Sequence, residues 1–178
     1  MTPPFPIVGI GASAGGLEAF SQLLRALPAD TGMAFVLVQH LSPTRASLLS
    51  EILSRTTEMP VTEVHDEPRV EPNHVYVIPP NKELTVAGGL LHLAEPAQPR
   101  GMRLPIDLFF SSLARDQGEQ SIGVVFSGMG SDGTLGLQAI KSQGGLTLAQ
   151  LPESAQFDSM PKSAIAAGCA YIVAPPDA

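Results

Sequence analysis

Short runs of β-branched and apolar residues alternate along this chain with longer stretches in which apolar residues recur every three or four positions. That is the pattern of a parallel sheet covered by helices. Pro6-Ile7-Val8-Gly9-Ile10 reads as a buried strand, and Leu17, Phe20, Leu23, Leu24 and Leu27 then share one face of a helix ended by Pro28. Ala34-Phe35-Val36-Leu37-Val38-Gln39 is a second buried strand, and after Ser42-Pro43 a helix turns Leu48, Leu49, Ile52 and Leu53 inward. From Val61 to about Glu95 the rhythm changes to short strands, Val75 to Ile78, Leu84 to Ala87 and Leu90 to Ala94, broken by Pro79-Pro80-Asn81 and Gly88-Gly89. This suits an antiparallel hairpin at a sheet edge.

The alternation then resumes with a helix over Asp107 to Arg115, a strand Ile122 to Phe126, a helix Leu135 to Ser142 and a strand Leu146 to Ala149. A helix near Pro161 to Ala167 and a strand Ala170 to Val173 complete it. The expected fold is α/β: a doubly wound, mostly parallel sheet with helices on both faces and an antiparallel edge hairpin. It forms one domain over residues 1–174, with Pro175-Pro176-Asp177-Ala178 as the start of a linker.

Composition narrows the partners. A net charge of −7 with only 10 Lys plus Arg gives no electrostatic footprint for a nucleic acid backbone or anionic lipid. No apolar run reaches the roughly 18 residues of a membrane span, and the N-terminus lacks the charged segment and long apolar core of a signal peptide. The single cysteine, Cys169, lies among Ala167, Gly168, Ala170 and Tyr171, a setting for a buried reduced thiol. The expectation is a cytoplasmic protein that inserts in no membrane and uses no cofactor or metal.

Gly11-Ala12-Ser13-Ala14-Gly15 fits G-x-S-x-G, in which small residues let a strand turn sharply into a helix while the serine hydroxyl stands exposed. The Ala14 N–H, at the start of that helix, would face a developing oxyanion. The same segment, read from Gly9 as G-x-G-x-x-A, also fits a dinucleotide fingerprint. That alternative wants an acidic residue at the end of the second strand to hold a ribose, about 20 residues on, and the strand ends in Gln39-His40.

His40 supplies what a serine nucleophile needs, since a hydroxyl is weak until a positioned imidazole removes its proton. In a parallel sheet the carboxyl ends of neighbouring strands share one edge, so Ser13 and His40 are expected to meet there. His65, His74 and His92 lack such a position and read as surface or half-buried residues. Asp132, in Ser127-Gly128-Met129-Gly130-Ser131-Asp132-Gly133, leaves another buried strand at the same edge and is the candidate to orient the imidazole. Its competing reading, shared with Ser131, is a cap on the helix that follows.

Together these segments resemble the catalytic domain of the chemotaxis receptor methylesterases, the protein-glutamate methylesterases called CheB. The likeness rests on Ile10-Gly11-Ala12-Ser13-Ala14-Gly15-Gly16, Gln39-His40, Asn73-His74-Val75-Tyr76-Val77, Gly128-Met129-Gly130-Ser131-Asp132-Gly133 and Met160-Pro161. It implies Ser13 as nucleophile, His40 as base, Asp132 as orienting carboxylate, and the backbone amides of Ala14 and Met129 as oxyanion hole. Ala14 stands where a threonine is frequent and Ser131 where an asparagine is frequent; neither departure removes a triad group or a backbone donor.

The resemblance also implies hydrolysis of glutamyl methyl esters, and deamidation of glutamines, on a methylated chemoreceptor or similar helical signalling protein. No receiver domain is expected ahead of the first strand. The wording of Asp30-Thr31-Gly32-Met33 and Leu104-Pro105-Ile106-Asp107 resembles versions fused to methyltransferase and sensor-kinase domains. The reading from another class is a non-catalytic, methylesterase-like interaction module that regulates such a kinase.

Overall fold

Strand β1 (Ile7–Ala12) runs through the middle of a seven-stranded sheet and is buried at every position. The computed structural model describes residues 5–39, 49–99 and 102–178. The other strands of the sheet are β2 (Ala34–Gln39), β3 (Val61–Glu63), β4 (Val75–Val77), β7 (Ser121–Val125), β8 (Leu146–Gln150) and β9 (Ile172–Ala174). Their order is β3-β4-β2-β1-β7-β8-β9, and every pairing among them is parallel. The chain winds outward from β1 through β2 and then returns to build the other half from β7. The point where the winding reverses therefore lies between β1 and β7, which is where open α/β sheets place their crevices.

Strand residues alternate between two cores. Val8, Ile10, Phe35, Leu37, Val75 and Val77 face α1 (Gly16–Ala26) and α2 (Leu49–Ser54). Ile7, Val36, Val38, Tyr76 and Val125 face α3 (Pro105–Gln117) and α4 (Thr134–Ser142), with Met160 and Ala164 of α5 (Ser159–Ala166) in the same cluster. In α2, Leu49 and Leu53 turn inward as expected, while Ile52 is 37% exposed.

Two glycines of β1 set how closely α3 lies on the sheet. A Cβ at Gly9 would stand 3.0 Å from the rings of both Phe109 and Phe110, and one at Gly11 would stand 2.9 Å from Cδ1 of Ile106. Phe109 and Phe110 are fully buried, a contribution of about 1.5–3 kcal/mol for each side chain.

The expected antiparallel hairpin is present as β5 (Glu83–Ala87) and β6 (Leu90–Ala94), turning at Gly88 and Gly89, both at positive φ. It forms a two-stranded sheet of its own and is not an edge of the parallel one. It packs on α3, where the Ser112 hydroxyl accepts the Val86 N–H at 3.0 Å and the Asp116 carboxylate accepts the amides of Gly88 and Gly89. Val75–Val77, grouped with these strands by sequence, instead joins the parallel sheet beside β2, and the three-residue β3 extends that sheet at its edge. No helix of the described residues is long and apolar enough to cross a membrane.

Candidate active site

Ser13 follows β1 directly and opens the turn into α1. The turn works because Gly15 adopts φ 81°, and because a Cβ there would lie 2.5 Å from the Ser127 hydroxyl. The Ser13 carbonyl accepts the Gly16 N–H and the Gln39 side-chain amide, each at 3.0 Å, and the Ser13 N–H donates to the Ser127 carbonyl at 3.0 Å. The serine backbone is thus held by both neighbouring strands. Gln39, the residue where a dinucleotide fold would want an acid, is committed to the Ser13 carbonyl.

The loop after β7 approaches from the other side. The Met129 N–H donates to the Ser13 Oγ at 2.9 Å, bringing together two expected site residues far apart in sequence. The Met129 side chain is exposed, so the contribution of this residue to the site is its backbone donor. Ala14 lies in the same turn, its carbonyl accepting the Ser127 hydroxyl at 2.7 Å.

What aims the Met129 amide is the segment entering α5, which the sequence reading did not assign. The Gly128 N–H donates to the Phe157 carbonyl at 2.9 Å, and the Gly128 carbonyl accepts the Met160 N–H and the Ser159 hydroxyl, each at 3.1 Å. Ser159 Oγ also accepts the Gly130 N–H at 3.1 Å. Ser127, 1% exposed, is fixed from below: its N–H donates to the Gln150 side-chain carbonyl at 2.8 Å and its hydroxyl accepts the Phe157 N–H at 3.0 Å. The only local sequence signal for this clamp is the pair Met160-Pro161 at a helix start.

The fully buried Met160 also touches the serine side chain, with the Ser13 hydroxyl donating toward its Sδ at 3.5 Å. Gly128 is the third member of this contact. A Cβ on it would collide with Met160 Sδ and Ser13 Oγ and lie 3.0 Å from the Ser13 N.

Asp132 is 3% exposed, in the same loop. Its two carboxylate oxygens accept the amides of Ile106 and Asp107 at 2.9 and 2.8 Å, which are free donors at the first turn of α3. The helix it caps is therefore α3, not the helix that follows it. The amides at the start of α4 go instead to Asp107, whose Oδ1 accepts Gly133 N–H at 2.9 Å and Gly136 N–H at 2.7 Å. Burial pushes the Asp107 carboxyl up to about 6; the Asp132 charge adds to the rise, and the Gly136 and Gly133 amides oppose it.

His40, the expected base, falls in residues 40–48 and lies outside the described residues. Of the other histidines, His74 donates from Nδ1 to the Pro72 carbonyl and His92 pairs with Glu67, both on the outer surface as expected. Cys169 is buried, and burial pushes its thiol up from the usual range. Among the described residues no group of three or more His, Cys, Asp or Glu is gathered as metal ligands would be.

Fold and site define a class: a doubly wound α/β domain that presents a serine at the switch point, with a backbone donor from the neighbouring strand's loop on its hydroxyl. The chain belongs to the CheB methylesterase family, whose model matches residues 8–178. It is 37% identical over 173 residues to protein-glutamate methylesterase/protein-glutamine glutaminase 2 of Pseudomonas aeruginosa, covering 95% of this chain and 49% of that protein. It is 36% identical over 174 residues to the protein-glutamate methylesterase FrzG of Myxococcus xanthus, covering 97% of this chain and 52% of the relative. The chain thus spans about half the length of these curated relatives. An uncharacterised 104.1 kDa protein of Rhodobacter capsulatus is 46% identical over 120 residues, 67% of this chain and 12% of that protein. The crystal structure of the Thermotoga maritima CheB methylesterase catalytic domain superposes with a TM-score of 0.91 at 31% identity, covering 98% of this chain and 95% of that one.

Proposed function

We propose that this chain hydrolyses methyl esters of glutamate side chains, with Ser13 as nucleophile, His40 as base, Asp132 as orienting carboxylate and the amides of Ala14 and Met129 as oxyanion hole. The observation that carries the reading is the 2.9 Å contact between the Met129 N–H and Ser13 Oγ at the switch point. A backbone donor already on the nucleophile's oxygen is within reach of an oxyanion formed on the carbonyl that this oxygen attacks.

The reaction then follows from the groups assigned. Ser13 Oγ attacks the ester carbonyl as His40 takes its proton, and collapse of the tetrahedral intermediate returns that proton to departing methanol. Water, deprotonated by His40, releases the acyl group as glutamate. Support for His40 comes from the strand before it: Gln39 pairs in register with Ala12, and its side chain holds the Ser13 carbonyl. His40 is the residue that follows Gln39 in the sequence. A glutamine amide presented in place of the ester would release ammonia by the same steps, in keeping with the double name of the Pseudomonas relative.

The substrate proposed is a methylated chemoreceptor or a similar helical signalling protein, met in the cytoplasm. Fusion to methyltransferase and sensor-kinase domains is part of the proposal; the Rhodobacter relative, of which this chain matches only 12%, supports a larger protein without naming its other domains. The test is methanol release from a receptor carrying labelled methyl esters. Wild-type protein should release it and Ser13→Ala should not; equal release by the two would overturn the reading.

A further inference from the structure

The sulfur of Met160 occupies a place that the proposed chemistry does not use, and it raises the question of what the serine hydroxyl does between turnovers. A hydroxyl carries one proton. On Ser13 that proton is directed at Met160 Sδ, 3.5 Å away, while the lone pairs of the same oxygen take the Met129 N–H at 2.9 Å. In this rotamer the nucleophile fills the donor that the substrate's oxyanion would need, and its proton is spent on a group that cannot act as a base.

We infer that Met160 is a positioning residue that parks the Ser13 hydroxyl in the empty site; the inference rests on the reading of Ser13 as nucleophile. Three features of the surroundings make the parking place a built one. Met160 is fully buried, so no water competes for that hydroxyl contact from the sulfur side. Its backbone N–H holds the Gly128 carbonyl at 3.1 Å and its neighbour Ser159 holds the same carbonyl, so sulfur and oxyanion donor belong to one hydrogen-bonded unit. Gly128 lacks the side chain that would separate Met160 Sδ from Ser13 Oγ.

The chemistry of the sulfur explains why a methionine suits the position. A thioether is a weak acceptor, and serine turns between staggered rotamers at little cost. When an ester carbonyl takes the Met129 N–H, the hydroxyl loses its stronger partner, and the weak one releases it to rotate toward a base. An amide or hydroxyl in place of the sulfur would hold the proton too well.

The experiment is the second-order rate at which a fluorophosphonate labels Ser13, with the labelled residue located by mass spectrometry and Ser13→Ala as control. Met160→Leu keeps an apolar side chain of similar bulk and removes the acceptor; it should label roughly threefold to tenfold faster than wild type. Met160→Gln supplies a stronger acceptor and should label more slowly by a similar factor. If Met160→Leu melts far below wild type, norleucine placed at position 160 alone by semisynthesis removes only that sulfur and gives the same comparison. A merely structural Met160 would slow labelling in all of these variants.

The outcomes separate cleanly. Labelling of wild type with no acceleration in Met160→Leu or the norleucine protein overturns the parking role and leaves the nucleophile reading standing. Absence of labelling in wild type overturns both.

Discussion

Asp107 and Asp132 cap each other's helices: Asp132 takes the amides of Ile106 and Asp107 at the start of α3, and Asp107 takes those of Gly133 and Gly136 at the start of α4. Four backbone donors that a helix cannot satisfy internally are met, and two carboxylates are brought side by side. The arrangement fixes Asp132 by the ends of two helices at once, and it creates an electrostatic conflict that pH can read.

The Asp107 carboxyl, ordinarily near 3.8, is pushed up to about 6 in the folded protein. The folded state therefore binds this proton more tightly than the unfolded one. Its stabilising contribution is full below about pH 3.8 and is lost as pH rises through about 6. Asp107→Asn keeps the Oδ1 acceptor and removes the charge. At pH 8 it should be more stable than wild type by about 1 kcal/mol, allowing for the screening of a partly exposed group, and the difference should close only below about pH 3.8. Urea midpoints at the two pH values decide it, and a gap that does not change with pH would refute the assignment.

Asp132 is assigned two roles that substitution can separate. Asp132→Asn retains one acceptor for α3 but cannot stabilise an imidazolium, and kcat should fall by about 10⁴, the loss seen when a triad aspartate is amidated. Asp132→Ala should show the same loss of rate together with about 1–3 kcal/mol of lost stability, because buried amides lose their acceptor. Near-normal turnover by Asp132→Asn would leave the residue as a helix cap alone.

Gly128→Ala tests how closely the oxyanion loop is fitted to the nucleophile. The new methyl group would collide with Met160 Sδ and Ser13 Oγ, so either the loop or the serine must move. We expect kcat to drop by about 10²–10³, the scale of losing one oxyanion donor, with a stability cost of about 1–3 kcal/mol. Steady-state kinetics beside a thermal melt distinguish this from simple unfolding.

Gly11→Ala examines the approach of α3 to the sheet. The added Cβ would press on Ile106, 2.9 Å from its Cδ1, and overpacking of this kind costs about 1–3 kcal/mol. Trimming the neighbour in Gly11→Ala/Ile106→Val should recover part of the loss, since the two side chains are in direct contact. Denaturant unfolding of the single and double variants measures that coupling; strictly additive losses would show that the helix simply shifts.

The parallel sheet and the loops after β1 and β7 were legible because the central strands are largely apolar runs, and both of these loops are rich in glycine. Ser13 and Asp132 stood out for that reason. The partner of Asp132 did not, because an acid before a helix reads as a cap for that helix, and nothing local in the sequence says that its carboxylate reaches back to Ile106. Ser159 and Phe157 were hidden similarly, and Met160-Pro161 was marked without a role: these residues act through backbone groups and one sulfur. Among the strands, Val75–Val77 was found but paired wrongly, since three apolar residues carry no record of a parallel or antiparallel neighbour. Val61–Glu63 is too short and too polar to announce itself.

The hairpin of β5 and β6 packs on α3 and is bonded to it through Ser112 and Asp116, while α3 also contacts the sheet and α4. A helix held by both the sheet and the hairpin comes free only when the hairpin or the whole domain comes apart. Its amide protons, including those of Ile106 and Asp107 that carry Asp132, should accordingly be among the slowest in the molecule to exchange with deuterated water. The hairpin serves as ballast: it keeps still the helix against which the proposed orienting carboxylate is braced.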